Sequence, residues 1–219
     1  MVIVFLHYNI NEAGLYHFNL IKEHNKNNKI FSIGFESNQL IKNSYKTSKN
    51  KYPKNNKFNN EWTEADLLIY DFYLKRPDEE SYFFIEWDTY SNCSVEDYYK
   101  KFLDKDVFAP KVFNNNNLEK WDWYSRLSDE QKKIEKIGGL SPTTCLYFKN
   151  NALKRITNLL IKNPSSYNDM FSELRLGTLA QQCGFELFES GDQNISWKTS
   201  DIKVDKNKQG FYHPVKHII

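Results

Sequence analysis

MVIVFLHYNINEAGLYHFNLIKEHNKNNKIFSIGFE, residues 1–36, decides how this chain folds. Val2 to Tyr8 is a continuous, β-branched apolar run that ends in the polar Asn9 and Asn11, the pattern of a buried strand opening onto a loop. Asn11 is suited to cap a following helix. From Glu12 to His24, Ala13, Leu15, Tyr16, Phe18, Leu20 and Ile21 suit one helical face, and the Asn/Lys cluster after them stops it. Lys29 to Phe35 reads as a second strand. Strand, helix, strand in this order implies a right-handed parallel crossover and hence an α/β sheet. Ligands of such sheets sit beyond the carboxyl ends of the strands, here Tyr8 to Asn11 and Glu36 to Asn38.

The same reading extends down the chain. Residues 42–60 hold six lysines and no acid, a pattern of a solvated loop or of a basic lid over an anionic ligand. Glu61 to Tyr73 has helical spacing, stopped by Pro77, and SYFFIEWDTY (81–90) is a strongly apolar strand with acids at its end. Ser94 with Asp97 has capping-box spacing for a short helix to about Leu103. Further strands are expected at 106–113, 143–148 and 185–189. Helices are expected at about 128–136, 151–162 and 172–184, the last closed by Gly184. The 219 residues contain no internal repeat and read as one domain, 1–219.

Composition removes several classes of function. Cys93, Cys145 and Cys183 are odd in number and form no CxxC pair, which argues against a disulfide framework or a zinc knuckle and fits a reducing compartment. The apolar runs fall far short of the roughly 20 residues of a membrane span. MVIVFLHY also lacks the basic start of a signal peptide. A cytoplasmic protein is therefore expected. With 30 Lys+Arg against 28 Asp+Glu the net charge is +2, so no nucleic-acid partner is expected. The many Asn and Lys are what an A+T-rich bacterial or viral genome would produce. GxSxG, GxGxxG and GxxxxGK[ST] are absent.

Three constellations carry chemistry. Glu86 and Asp88 flank Trp87 at a strand end, where positions i and i+2 share a face; unpaired they repel, and a hard cation such as Mg²⁺ or Mn²⁺ relieves that and binds phosphate oxygens. The bland alternative is a pair satisfied by lysines or backbone amides. His213 in FYHPVK can complete a mixed oxygen and imidazole site, and Lys216 can neutralise a phosphate. Taken alone, a histidine is more often an ordinary surface or core residue. Asp169 and Glu173 stand four apart around a helix start, where either can act as a general base or simply complement the helix dipole.

In this order the features resemble those of a small GT-A-type glycosyltransferase. The pieces are the MVIVFLHYN strand, FFIEWDTY in place of the family's DxD-bearing strand, GGLSPTTCLYFKNNALKRI as acceptor-side strand and helix, FSELRLGTLAQQCGF as the next helix, and a terminal HPVK. The resemblance implies a single GT-A-like, Rossmann-related α/β domain with a mixed, mostly parallel sheet flanked by helices. It also implies transfer of a hexose or deoxyhexose from a nucleoside diphosphate sugar, UDP- before GDP-, to an acceptor hydroxyl on a glycan or glycoprotein. Asp88 and His213 would hold Mn²⁺ or Mg²⁺ on the diphosphate, with Lys216 adding charge. Tyr8, Asn9 and Asn11 would hold base or ribose, helped by Glu36 and Asp66. Glu86, standing where the family has Asp, would bind sugar, ribose or metal. Trp62, Trp121 and Trp123 would supply apolar platforms. In an inverting enzyme Glu173 is the base, with Asp169 in reserve; a retaining one needs none. So small a chain leaves acceptor choice to surface loops or to partner glycosyltransferases. A nucleotidyltransferase of similar architecture is the nearest alternative, ahead of a metal-dependent nuclease or nucleic-acid binder, for which the strand offers EWD but no ExK.

Overall fold

The structure, a computed structural model, describes residues 1–8, 10–35, 41, 44–47, 64–114, 116–197 and 200–219. In chain order the elements are β1 (Val2–His7), α1 (Glu12–His24), β2 (Lys29–Gly34), β3 (Ser44–Lys46), α2 (Ala65–Lys75), β4 (Ser81–Glu86), β5 (Tyr90–Ser91) and α3 (Val95–Tyr98). There follow β6 (Val107–Ala109), β7 (Lys111–Phe113), α4 (Asp122–Ser125), α5 (Asp129–Lys132), β8 (Gly139–Ser141) and β9 (Leu146–Lys149). The chain closes with α6 (Asn150–Lys162), α7 (Ser172–Gln182), β10 (Phe188–Glu189) and β11 (Phe211–Tyr212).

Seven strands form one sheet in the order β10-β6-β9-β4-β1-β2-β3. β1 pairs in parallel with both β2 and β4, and β9 alone runs antiparallel, between β4 and β6. This is the mixed, mostly parallel α/β architecture expected. In β1 and β4 every residue but the terminal Glu86 is buried, because the sheet is covered on both faces. Val2, Val4 and Leu6 of β1 and Tyr82 and Phe84 of β4 pack with α2, α6 and α7, while Ile3, Phe5, Phe83 and Ile85 pack with Phe18 and Ile21 of α1 and with Val95, Tyr99 and Phe211. Each such buried side chain contributes roughly 1.5–3 kcal/mol over an exposed one, so a shift of either strand by one residue would exchange both cores.

Local rules hold at the helix ends. Asn11 caps α1 by accepting from the Gly14 amide at 2.9 Å, and Ser94 accepts from the Asp97 amide at 3.1 Å. Ser128 and Gln131 form a reciprocal capping box, although the expected helix 128–136 is only α5. The basic stretch differs from expectation in part: Ser44–Lys46 is an edge strand on β2, and its other residues lie mostly outside those described. The 143–148 strand begins at Leu146, and β8 before it pairs with β7 in a separate ribbon. Against that ribbon α7 comes very close, since a Cβ on Gly177 would stand 2.6 Å from the Gly139 backbone.

Candidate functional site

β4 ends at Glu86 and the chain turns at once, the Thr89 amide donating to the Glu86 carbonyl at 3.1 Å. Asp88 therefore lies in a turn and not on the strand, and it is the turn, in place of the expected shared strand face, that brings the two carboxylates together. Thr144 braces this turn. Its hydroxyl accepts from the Glu86 amide at 3.0 Å and lies 2.8 Å from the Thr89 hydroxyl.

Into the turn comes His213, whose Nε2 is 3.1 Å from Glu86 Oε2 and 3.1 Å from Asp88 Oδ1. Backbone bonds hold it there. β11 pairs antiparallel with β5, the Val215 amide donates to the Asp88 carbonyl at 2.7 Å, and the His213 amide donates to the Asn194 carbonyl at 3.0 Å. Its Nδ1 donates to the Ser196 carbonyl at 2.8 Å, which fixes the ring with Nε2 toward the acids. Burial alone would lower the imidazole's pKa, but Asp88 and then Glu86 outweigh it and raise it to about 10.

One ligand atom from each of Glu86, Asp88 and His213 falls within 4.8 Å of the others. Two carboxylate oxygens and an imidazole nitrogen form a donor set that suits Mn²⁺ or Mg²⁺, so these residues fit the expected ion.

The triad opens onto a cleft of about 750 Å³ that is also lined by Tyr8, Trp87, Trp121, Asp122, Trp123, Arg126, Pro142, Thr143, Phe171, Glu173, Trp197, Ser200, Pro214 and Lys216. Glu173, in the first turn of α7, is 6% exposed. Burial pushes its carboxyl up to about 8 and the charge of Glu86 adds to this, while Ser141 and His213 act in the opposite direction.

The remaining expected residues divide. Tyr8 borders the cleft, stacked on Phe35 with ring centroids 5.8 Å apart, and Lys216 is exposed at its rim, its amide bonded to Asp201. Asn9, Glu36 and Trp62 lie outside the described residues. Asn11 is the helix cap already described. Asp66, expected to help bind the nucleotide, is instead fully buried beneath the helices: Arg175 Nε donates to its Oδ2 at 2.7 Å, a second guanidinium nitrogen meets Oδ1, and the Tyr70 hydroxyl adds a bond at 2.9 Å. Asp169, the reserve base, lines a different, polar pocket with Ser128, Glu130 and Ser165. Four residues do not place it beside Glu173, because it precedes the helix in a left-handed conformation, φ 57°.

Two tryptophans named as platforms line the cleft but are already engaged in stacking. Trp121 is stacked on Phe113 at 4.1 Å, with Gly139 against its ring, and Trp123 is stacked on Phe171 at 3.8 Å with the Arg126 guanidinium 4.5 Å from its ring centre. Sequence reasoning missed Thr144, Arg126, Phe171 and Trp197. For Trp197 a signal existed, a lone indole in the polar stretch GDQNISWKTS.

No protein-family model and no curated protein matches the chain. Among solved structures it is similar to the galactosyltransferase LgtC in complex with donor and acceptor sugar analogs, at 13% identity over 84% of this chain and 70% of that one, TM-score 0.43. It is also similar to the bifunctional glycosyltransferase WbbM, at 13% identity over 86% of this chain and 38% of that one, TM-score 0.42. A third likeness is to a candidate glucose-1-phosphate thymidylyltransferase from Bacillus anthracis in complex with sucrose, at 12% identity over 87% and 86% of the two chains, TM-score 0.45. Likenesses this distant add nothing to the reading of the site, which rests on its own residues. Among the described residues no helix is long and apolar enough to cross a membrane.

Proposed function

We propose that this chain is a divalent-cation-dependent glycosyltransferase that moves a hexose or deoxyhexose from a nucleoside diphosphate sugar, UDP- in preference to GDP-, to a hydroxyl of a glycan or protein. The observation that carries the reading is His213 seated between Glu86 and Asp88 at the carboxyl end of a central strand, in the cleft that Glu173 lines. Asp88 and His213, with Glu86 beside them, would hold Mn²⁺ or Mg²⁺. When bound, such an ion neutralises charge on the diphosphate and so stabilises the departing nucleotide. Lys216 adds a positive charge at the rim, and Tyr8 borders the region where base and ribose would lie.

Glu173 is the base of an inverting transfer. The acceptor oxygen bonds to the anomeric carbon, the bond from that carbon to the diphosphate breaks, and the hydroxyl proton passes to the Glu173 carboxylate. Burial opposes the ionised form this role needs, whereas positive charge in the cleft favours it, as His213 already does.

The test is a melting experiment. UDP should raise the melting temperature only with Mn²⁺ present, and Asp88→Ala should abolish the shift. No metal-dependent shift with UDP or GDP sinks the reading. Release of pyrophosphate from a nucleoside triphosphate and a sugar 1-phosphate would assign the chain to nucleotidyl transfer instead.

A further inference from the structure

Trp197 is the most exposed large apolar side chain among the described residues, at 60%, and it lies at the candidate site. Leaving an indole in water is unfavourable, and a packed protein ordinarily buries one. Nor is Trp197 carried on a free end. The residue before it, Ser196, donates its amide to the His213 carbonyl at 2.9 Å and accepts the His213 Nδ1 proton at 2.8 Å, and Ile195 forms a bridge with His213. The segment that orients the imidazole therefore also sets the indole in the cleft.

The other cleft tryptophans are engaged. Trp121 is stacked on Phe113 and Trp123 on Phe171, with Arg126 over the Trp123 ring, and Trp87 lies against α1 at Gly14. An indole left largely exposed in a cleft that Ser200 and Asp122 also line matches a ligand with apolar C–H faces and a hydroxyl rim. That is the chemistry of a pyranose. Glu173, which would take the acceptor's proton, lines the same cleft.

We infer that Trp197 is the stacking platform of an acceptor subsite, and that the acceptor presented to Glu173 is a saccharide and not a protein side chain. The inference rests on the glycosyltransferase reading and deepens it.

The experiment uses the full chain with Mn²⁺ and UDP, and probes it with the methyl glycosides of glucose, galactose, mannose and N-acetylglucosamine by saturation-transfer NMR. At least one glycoside should bind the unsubstituted protein. Trp197→Ala should weaken it about tenfold, Trp197→Phe should largely restore it, and both variants should keep the UDP and Mn²⁺ melting shift. Binding of none of the four glycosides to a protein that shows that shift, or binding unaltered by Trp197→Ala, overturns the inference. So does loss of the UDP shift in Trp197→Ala alone, which would make the indole a nucleobase platform. Glycoside binding that depends on Trp197 in a protein showing no UDP shift would sustain the saccharide subsite while removing the nucleotide-sugar reading.

Discussion

At the scale of single residues, position is decided by groups that carry no chemistry of their own. Thr144 touches no candidate ligand atom, yet its hydroxyl satisfies the Glu86 amide and meets Thr89, so it fixes the turn that presents both acids. Thr144→Val keeps the shape and removes the oxygen, leaving a part-buried amide unpaired at a cost of about 1–3 kcal/mol. Calorimetric titration with Mn²⁺ should show affinity falling about tenfold or more, as for other groups that orient metal ligands; unchanged affinity would show that the turn holds without it. Glu173 provides the contrasting case, a residue proposed to act on the acceptor directly. Glu173→Gln should lower turnover about 10²–10⁴-fold while the UDP and Mn²⁺ melting shift persists. Full activity in that variant would leave a retaining transfer. Glu86, Asp88, His213 and Glu173 were legible in the sequence because acids at a strand end and a helix start are conspicuous. Thr144 was not, because a hydroxyl in SPTTC has no pattern that reveals which amide it will meet.

Between elements, a buried ion pair joins α2 to α7. Asp66 and Arg175 are completely buried and meet through two guanidinium nitrogens, which fixes α7 against α2 two residues beyond Glu173. Removing one partner strands the other charge away from water, so Arg175→Met should cost roughly 3–5 kcal/mol in urea unfolding, and adding Asp66→Leu should restore much of it. A cost below about 1 kcal/mol for the single variant would show that water or other partners already satisfy Asp66. Asp66 stood as a nucleotide contact only through the family resemblance, and the partner that holds it lies 109 residues away. GG at 138–139 marks a tight or permissive backbone, and the need proves to be close approach, with Trp121 packed on Gly139 and Gly177 against it. Local rules did predict α1, β1, β2, β4 and α6, whose periodicity and caps agree with their burial.

For the molecule as a whole, the sheet explains how its stability responds to acid. His7 ends β1 with its ring buried against Gly34, and burial lowers its pKa from 6.5 to about 4. The folded protein therefore holds His7 neutral where the unfolded chain would already be protonated. Its contribution is complete above pH 6.5 and is lost as pH falls toward 4, up to about 3 kcal/mol. His17, also lowered by burial, changes stability in the same sense. Urea unfolding from pH 7 to 4 should show a shallower decline for His7→Gln than for the unsubstituted chain; parallel profiles would remove His7 from the account. Sheet order and the antiparallel β9 were not legible, since strand patterns state which faces are covered but not which neighbour is chosen. The segment that carries His213 has a consequence in time as well as in space. All seven strands of the main sheet have been translated by residue 189, and the imidazole that meets Glu86 and Asp88 comes only with residue 213. On the ribosome the two acids are therefore made well before their imidazole partner, and a nascent chain completes its candidate cation site only once the segment around residue 213 has left the exit tunnel.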